Sequence, residues 1–341
     1  MKMKKSAIEE MKLRAYRYAN RTMFKLFVKR RLRSMPKFDN PIFAQLIKNS
    51  SEQILKDMLA SDDLHPFHMN VEKLRVWSVA IQVAKQIENL SHIVGVQPLE
   101  GQIGLINSML YVDISEKNGG KRKSHELKIE TKPMAARTRH VPMSASTCDF
   151  FKGDEEQWGY VEEEIVNAVI RMITQEVVET ISGVSKETKV KFGELHPQII
   201  KSAVEMGNGN KRGPANLMIM NPSTFSKFSK SLTPGIFHSA NLRYGELFLA
   251  GSFDQNIKVF VCNFVKDNTI LLGYKTGNFD AGLIYVPYLP FISDGYTISQ
   301  HAFESHPIYS IRHNIYHIEK KSSFGGLPSD YYHKITISET E

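Results

Sequence analysis

The sequence is poor in cysteine, with two residues, Cys148 and Cys262, in 341. Two cysteines provide neither a disulfide framework nor the spacing of a zinc site, so we expect both to be reduced in an intracellular product. The sequence also lacks an apolar run near the roughly 20 residues that a membrane helix needs. Its charged N-terminus has no apolar region of the signal-peptide type. These absences exclude a disulfide scaffold and predict no membrane partner.

Catalytic motifs are equally scarce. The sequence contains no G-x-x-x-x-G-K-[ST], no G-x-S-x-G and no H-E-x-x-H, the patterns of phosphate loops, serine hydrolases and zinc proteases. The glycine-rich loop 207–214 lacks phosphate-loop spacing and predicts a surface turn. His313 and His317 have no third candidate metal ligand nearby. We therefore predict no enzyme activity, no cofactor and no metal.

Charge is distributed unevenly. The net charge is +8, but residues 1–34 hold twelve Lys or Arg against Glu9 and Glu10, which leaves the rest of the chain close to neutral. A basic arm on a neutral body is typical of contact with a polyanion or an acidic partner protein; a solvated amphipathic helix is the alternative. The candidate residues for contact with DNA or a scaffold protein are Arg14, Arg17, Arg21, Lys29, Arg30, Arg31 and Arg33.

The first half of the chain predicts helices and one long hairpin. Apolar residues recur every three to four positions in 40–60, 71–90 and 154–182, which favours helix. Two predicted strands, 104–114 and 124–146, flank a basic turn that can adopt the positive φ angles of a hairpin. The turn comprises Lys117, Asn118, Gly119, Gly120, Lys121, Arg122 and Lys123. Because a lone hairpin is only marginally stable, we expect a neighbouring subunit to cover it.

The second half predicts alternating helices and strands. Strands are expected at 215–221, 246–252, 256–265, 269–274, 281–287 and 302–319, and helices at 196–206 and 222–230. Pro287 and Pro290 are expected to end strand pairing because proline donates no ladder hydrogen bond. Tyr285, Tyr288 and Phe291 are expected to supply rigid apolar packing area. The last twenty or so residues look like a loose terminal extension.

Four stretches, in the same order, are similar to a known family. They are "VGVQPLEGQIGLI" at 94–106, "ELKIETKPMAARTRHVPMS" at 126–144, the long helix from 154 to 181, and "FDQNIKVFVCNFVKDNTILLGYKTGNFDAGLIYVPYLPF" at 253–291. Together they resemble the major capsid protein of T-even-like tailed bacteriophages, which carries the Hong Kong phage capsid fold shared with encapsulins. The resemblance covers about 90 to 320, although "GYKTGN" replaces the family's Gly-Tyr-Lys-Gly.

The resemblance implies an α+β fold of the Hong Kong phage capsid type, with an N-terminal arm, an extended hairpin loop, a long spine helix, and peripheral and axial domains. The implied divisions are the arm 1–40, an N-terminal helical segment of the peripheral domain 41–103, the extended hairpin loop 104–146, the spine helix and peripheral domain 147–189, the axial domain 190–265, the strands returning to the peripheral domain 266–320, and a C-terminal extension 321–341.

The resemblance also implies a function in assembly. Such subunits form hexamers and pentamers of an icosahedral or prolate head that encloses double-stranded DNA, with vertex, portal and scaffold proteins as partners. The implied location is the virion, and the host cytoplasm during assembly. A vertex protein that forms only pentamers, an encapsulin-like shell protein, and a nucleic-acid-binding protein acting through the basic arm are the alternatives.

Two further sites follow from charge and from the resemblance. The basic hairpin tip is expected to face acidic residues of a neighbouring subunit, for which Glu155, Glu156, Glu162 and Glu163 are the candidates. In the resembled family a protease removes an N-terminal segment after Glu in an Ile/Leu-x-Glu context. Ile8-Glu9-Glu10 is the only such triplet in residues 1–34, which makes Glu10 the candidate processing site.

Overall fold

A computed structural model describes residues 22, 26, 40–60, 71–113, 125–142, 155–232, 236–244, 246–254, 256–298, 305–318 and 328–338. The helices are α1 (Pro41–Ala60), α2 (Val71–Leu90), α3 (Glu155–Val184), α4 (Leu195–Asn210), α5 (Pro222–Lys230) and α6 (Pro328–Tyr331). The strands are β1 (Gly95–Val96), β2 (Ile103–Asp113), β3 (His125–Ala135), β4 (Arg137–His140), β5 (Lys186–Lys191), β6 (Leu217–Met220), β7 (Phe237–Tyr244), β8 (Leu247–Phe253), β9 (Ile257–Val261), β10 (Thr269–Gly273), β11 (Leu283–Ile298), β12 (Ser305–His317) and β13 (Tyr332–Ser338).

The predicted helices are confirmed, with small shifts at their ends. The side chain of Asn40 caps α1 by accepting a hydrogen bond from the backbone N–H of Ile42 at 2.8 Å, and Pro41 suits the first helical position because its missing N–H would be unpaired there. Asn221 caps α5 in the same way, accepting from the N–H of Thr224 at 2.7 Å. Within the described residues, no helix is both long and apolar enough to span a membrane.

The strands form three sheets, so the α+β class is confirmed. The sheet orders are β1-β11-β12-β4, β5-β13-β10-β6-β9-β8-β7, and the pair β2-β3. The chain divides into two compact units. Unit 1 comprises 1–85, 137–166 and 288–313, and unit 2 comprises 86–136, 167–287 and 314–341.

Unit 1 has a core of helix and strand residues. In α1 and α2, the indole N–H of Trp77 donates to the hydroxyl of Ser51 at 3.2 Å, which satisfies a buried donor. The rings of Phe291 and Tyr309 stack with centroids 5.3 Å apart. Strand β4 pairs antiparallel with β12. The predicted single strand 124–146 is therefore wrong, since its ladder with β2 ends at Ala135 and β4 belongs to a different sheet.

Unit 2 is built on the seven-stranded sheet. Its central strands β6 and β10 are buried at every residue, as expected of strands covered on both faces. Strand β6 is parallel to β9 and antiparallel to β10. The end strands β5 and β7 each have one described neighbour, whereas β6 and β10 lie in the interior of the sheet. The apolar centre of unit 2 therefore lies along β6 and β10.

The expectation of a loose C-terminal extension is wrong for 332–338. These residues form β13, which lies between β5 and β10 in the sheet. Tyr331, the last residue of α6, and Tyr332, the first residue of β13, are fully buried. Gly282 makes room for them, since a Cβ there would lie 2.3 Å from the Cβ of Tyr331. The polar ends of the segment obscured an alternation of apolar residues that is typical of a strand.

The expectation that Pro287 and Pro290 end strand pairing is also wrong. Strand β11 runs from Leu283 to Ile298 through both prolines. Proline loses only a donor, and its carbonyl can still accept: the oxygen of Pro287 accepts from the N–H of Leu99 at 2.9 Å. The expected packing role is met by Tyr285 and Phe291, which are fully buried, while Tyr288 is half-buried.

Candidate assembly elements

The hairpin of β2 and β3 is a regular antiparallel ladder of eleven residue pairs, from Ile103–Ala135 to Asp113–His125. At about 3.4 Å per residue, such a ladder is about 37 Å long. Pro133 lies opposite Leu105, at a pair whose backbone groups point away from the partner strand. Its missing N–H therefore costs no ladder bond.

The two faces of the hairpin differ in exposure. Ile106 and Ser108 are buried on one face. The opposite face exposes Ile103 by 72%, Leu105 by 68% and Ile129 by 58%. Successive side chains of a strand point to opposite faces, so these three apolar side chains share one face. We call this surface, with Pro133 and Ala135, the open face of the hairpin.

The acidic candidates on α3 differ in availability. Glu162 is half-buried and accepts a hydrogen bond from the hydroxyl of Ser78, also in unit 1. Glu163 and its neighbour Glu164 are exposed, and Tyr160 is 80% exposed. The carboxylates of Glu163 and Glu164 therefore face solvent, whereas the carboxylate of Glu162 has a hydrogen-bond partner within its own subunit.

Several predicted site residues lie outside the described part of the chain. These are the hairpin tip 117–123, the arm cations between Arg14 and Arg33, and Glu10. Glu155 and Glu156 lie in the first turn of α3, but their side chains are not among those described. Among the described residues, no three His, Cys, Asp or Glu side chains are grouped as metal ligands would be.

The turn 274–281, between β10 and β11, is bound on one side by the loop that precedes β6. The side chain of Asn216 donates to the carbonyl of Lys275 at 2.7 Å and accepts from its N–H at 3.0 Å. Burial lowers the pKa of the Lys275 ammonium, and the nearby Lys258 adds to this effect. The hydroxyl of Thr276 donates to that of Tyr274 at 2.7 Å.

A largely buried ion pair fixes the other side of the same turn. The guanidinium of Arg212 lies 2.6 Å from the carboxylate of Asp280, and their side chains are 14% and 6% exposed. Arg212 comes from the glycine-rich loop 207–214, so this predicted surface turn has a partner in the body of unit 2. The same guanidinium lies 3.9 Å from the sulfur of Met109, in β2.

The middle of the hairpin is the third partner of the turn. The N–H of Met109 donates to the carbonyl of Phe279 at 2.8 Å. The side-chain amide of Gln97 donates to the carbonyls of Asn107 and Asn278 at 2.6 and 2.8 Å. The structure thus brings the stretches 94–106 and 253–291 together beside the middle of the hairpin. Sequence reasoning missed the roles of Gln97, Arg212 and Asp280, although Gln97 and Asp280 lie within the stretches 94–106 and 253–291 that carry the resemblance.

A comparison with protein families gives one match. The family described as "Major capsid protein Gp23" matches residues 160–337, just over half of the chain. The matched region begins at Tyr160 on α3 and ends within β13. A comparison with curated proteins found no match.

Solved structures give more distant likenesses. A virus-like particle from Pyrococcus furiosus is 15% identical with a TM-score of 0.43, over 78% of this chain and 98% of that chain. The capsid of the cyanophage P-SCSP1u is 13% identical with a TM-score of 0.41, over 72% and 87%. The SrpI encapsulin complex from Synechococcus elongatus is 10% identical with a TM-score of 0.43, over 74% and 88%. At these values the assignment of a family rests on the family match.

Proposed function

This chain belongs to the major capsid protein Gp23 family and is a structural subunit of a viral capsid shell, and from that premise we propose that its copies form hexamers and pentamers of an icosahedral or prolate head enclosing phage DNA. The observation that supports this proposal best is the hairpin, whose open face keeps Ile103, Leu105 and Ile129 exposed. The implied partners are vertex, portal and scaffold proteins, and assembly takes place in the host cytoplasm.

The open face of the hairpin lies over the adjacent subunit in this proposal. A two-stranded ladder alone is marginally stable in water. Three exposed apolar side chains on one face are unfavourable in contact with water, which favours their burial against a neighbouring subunit. Burying one such side chain completely contributes about 1.5–3 kcal/mol. Because a closed shell repeats each heterologous contact many times, even a modest gain per subunit is sufficient for stable assembly.

The basic hairpin tip pairs with the acidic start of α3 in the neighbouring subunit. Charge supports this pairing: Lys117, Lys121, Arg122 and Lys123 stand against Glu155, Glu156, Glu162 and Glu163. Of the described carboxylates, Glu163 is exposed, as is its neighbour Glu164, and both are accessible to a cation. Such exposed pairs are weak singly and are screened by salt.

A charge reversal tests the pairing. We expect Lys121→Glu with Arg122→Glu to assemble poorly at low salt, and Glu163→Lys with Glu164→Lys to restore assembly when combined with it. The measurement is the fraction of subunits sedimenting as particles across a salt series. Wild-type assembly of the double variant at every salt concentration would show that the pairing is wrong.

The basic arm faces packaged DNA or an acidic scaffold. Its cations are Arg14, Arg17, Arg21, Lys29, Arg30, Arg31 and Arg33, and contact with DNA would be non-specific and salt-dependent. Cleavage after Glu10 would remove only the first ten residues and keep these cations. N-terminal sequencing of mature particles checks this processing, and a sequence beginning at Met1 would exclude it.

A further inference from the structure

We propose that Gln97 is the positioning residue that fixes the direction in which the β2–β3 hairpin projects from the rest of unit 2, and that it thereby sets the geometry of the shell. This inference rests on the proposed function, because the hairpin matters for shell geometry only if it contacts a neighbouring subunit. Gln97 is 8% exposed and directly follows β1. Its side chain reaches Asn107, which lies opposite Thr131 in the ladder.

The side chain of Gln97 acts on β2 as a peptide group of a neighbouring strand would. Its Nε2 donates to the carbonyl of Asn107 at 2.6 Å, and its Oε1 accepts from the N–H of Asn107 at 2.9 Å. Both backbone groups of Asn107 point away from β3, so they would otherwise be unpaired at this edge of the ladder. One side chain therefore holds a whole backbone unit of β2 in register with the body of unit 2.

Gln97 is itself held by hydrogen bonds to the rest of unit 2. The N–H of Gln97 donates to the carbonyl of Tyr285, in β11, at 3.0 Å. Its Nε2 also donates to the carbonyl of Asn278 at 2.8 Å. Gly95 permits this approach, because a Cβ there would lie 2.6 Å from the oxygen of Asn278. Gln97 thus joins β11, the turn 274–281 and the hairpin through its own atoms.

A small change in the angle of the hairpin where Gln97 contacts β2 produces a larger displacement at the far end of the ladder. A change of about 10° at Asn107 moves Asp113, the last ladder residue of β2 and about 20 Å away, by about 3.6 Å. That displacement is about three quarters of the spacing between neighbouring strands, about 4.8 Å, so it would shift the far end of the ladder against a neighbouring subunit. Shell geometry should consequently respond to the amide of Gln97 far more than the stability of the subunit does.

Glutamine is the residue type that this position requires. Glutamate accepts but cannot donate, so Gln97→Glu would place a carboxylate against the carbonyls of Asn107 and Asn278. Gln97→Asn keeps the amide but is one methylene shorter, so it cannot reach both sides. It introduces no charge, which makes it the variant of choice if Gln97→Glu does not fold.

The test compares particle geometry with subunit stability. Full-length wild type, Gln97→Asn and Gln97→Glu are assembled with the same head proteins, and particle diameters are measured by cryo-electron microscopy. We expect wild-type shells of uniform diameter, and a broader diameter distribution or open sheets from the Gln97 variants. Gln102→Glu, whose side chain is exposed just before β2, is the matched charge control and should give wild-type particles.

Ile106→Val controls for loss of stability alone. It removes a methylene from a buried side chain in β2 and leaves the hydrogen bonds of Gln97 in place. If Ile106→Val and Gln97→Asn have similar thermal unfolding midpoints, the proposal requires that Ile106→Val still form particles of wild-type geometry. Uniform wild-type shells from Gln97→Asn, or the same aberrant particles from Ile106→Val, would overturn it.

Hydrogen exchange on the unassembled subunit tests the same contact without a shell. We expect the Asn107 amide to exchange at least ten-fold faster in Gln97→Asn than in wild type, and to be unchanged in Ile106→Val. Equal exchange in all three proteins would overturn the role of Gln97. If wild type forms no shell while the exchange result holds, the proposed function fails and the positioning of the hairpin base stands.

Discussion

At the scale of single residues, the ion pair of Arg212 and Asp280 joins the loop 207–214 to the turn 274–281. The side chains are 14% and 6% exposed, so each charge depends on the other rather than on water. Removing one partner of a buried pair leaves an uncompensated charge, which is more costly than the pair itself is stabilising. This contact should therefore matter for folding more than an ion pair at the surface does.

We predict that Asp280→Asn lowers the free energy of unfolding of the subunit by about 3 kcal/mol. Urea unfolding followed by fluorescence measures this loss. Lys334→Met is the control, since it breaks the more exposed pair with Glu187 at 2.9 Å, and water screens such pairs strongly. Equal losses in the two variants would contradict the assigned role of Asp280.

Two histidines, the buried His333 and the half-buried His92, predict how stability depends on pH. Burial lowers the pKa of His333, and the nearby Lys186 adds to this effect; burial also lowers the pKa of His92, together with Lys258 and Lys275. Histidine in the unfolded chain titrates near pH 6.5. The unfolded chain therefore binds more protons below about pH 6.5, and the folded subunit loses stability as the pH falls from there toward the lowered pKa.

We expect a lower urea midpoint at about pH 5.5 than at about pH 7.5, and a smaller difference in His333→Gln. The variant separates this histidine from carboxylates that also titrate on acidification. His333→Gln keeps a polar group near Thr188, whose hydroxyl lies 2.7 Å from the ring of His333. An unchanged pH dependence in the variant would show that His333 does not contribute.

At the scale of elements, β13 completes the sheet of unit 2 from the end of the chain. It pairs with β10 over five residues and with β5 over six. Without it, both neighbouring strands would lose a partner, and the buried Tyr331 and Tyr332 would leave the core. We therefore expect the subunit to need residues 332–338 in order to reach its native fold.

Truncation tests this role of β13. A chain that ends at residue 327 should not fold cooperatively, because the ladder bonds and the tyrosine packing are lost together. A chain that ends at Ser338 lacks only the residues after β13 and should unfold like the full-length protein. Circular dichroism during thermal unfolding distinguishes the two, and a cooperative transition in the shorter chain would contradict the role given to β13.

The open face of the hairpin provides a second test at this scale. Leu105 is 68% exposed, so Leu105→Glu should change the free energy of unfolding of the subunit by no more than about 0.5 kcal/mol. The same change should abolish or strongly reduce shell formation, because a charge would be buried against a neighbour. Ser226→Glu, on the exposed side of α5, is the control. Normal shells from Leu105→Glu would exclude the open face as an interface.

The elements that could be predicted from the sequence are those whose pattern lies within their own segment. Apolar periodicity and caps located α1, α2 and α3, and strongly apolar runs located β6 and β10, because those signals lie within each segment. Strand β13 and the continuation of β11 through Pro287 and Pro290 depend on distant partners, which no local pattern specifies. Gln97, Arg212 and Asp280 were missed for the same reason: each is ordinary in its own segment and acquires its role from residues far along the chain.

At the scale of the whole molecule, the chain is a shell subunit whose function is its shape. Its contacts with neighbours can each be weak, since a closed shell repeats them with its symmetry. In our proposal, the basic arm, with twelve cations in 34 residues, contacts an acidic scaffold or DNA. The proposal thus assigns assembly to the body and hairpin, and electrostatic contact with the contents of the shell to the arm.

Electron microscopy of the full-length protein, expressed with its head-assembly partners, tests the central claim most directly. We predict closed shells built from rings of six subunits, with five-fold positions at the vertices. Particles that contain this chain only at five-fold positions would identify a vertex protein instead. A stable monomer that binds DNA through residues 1–34 and forms no shell under the same conditions would contradict its role as a shell subunit.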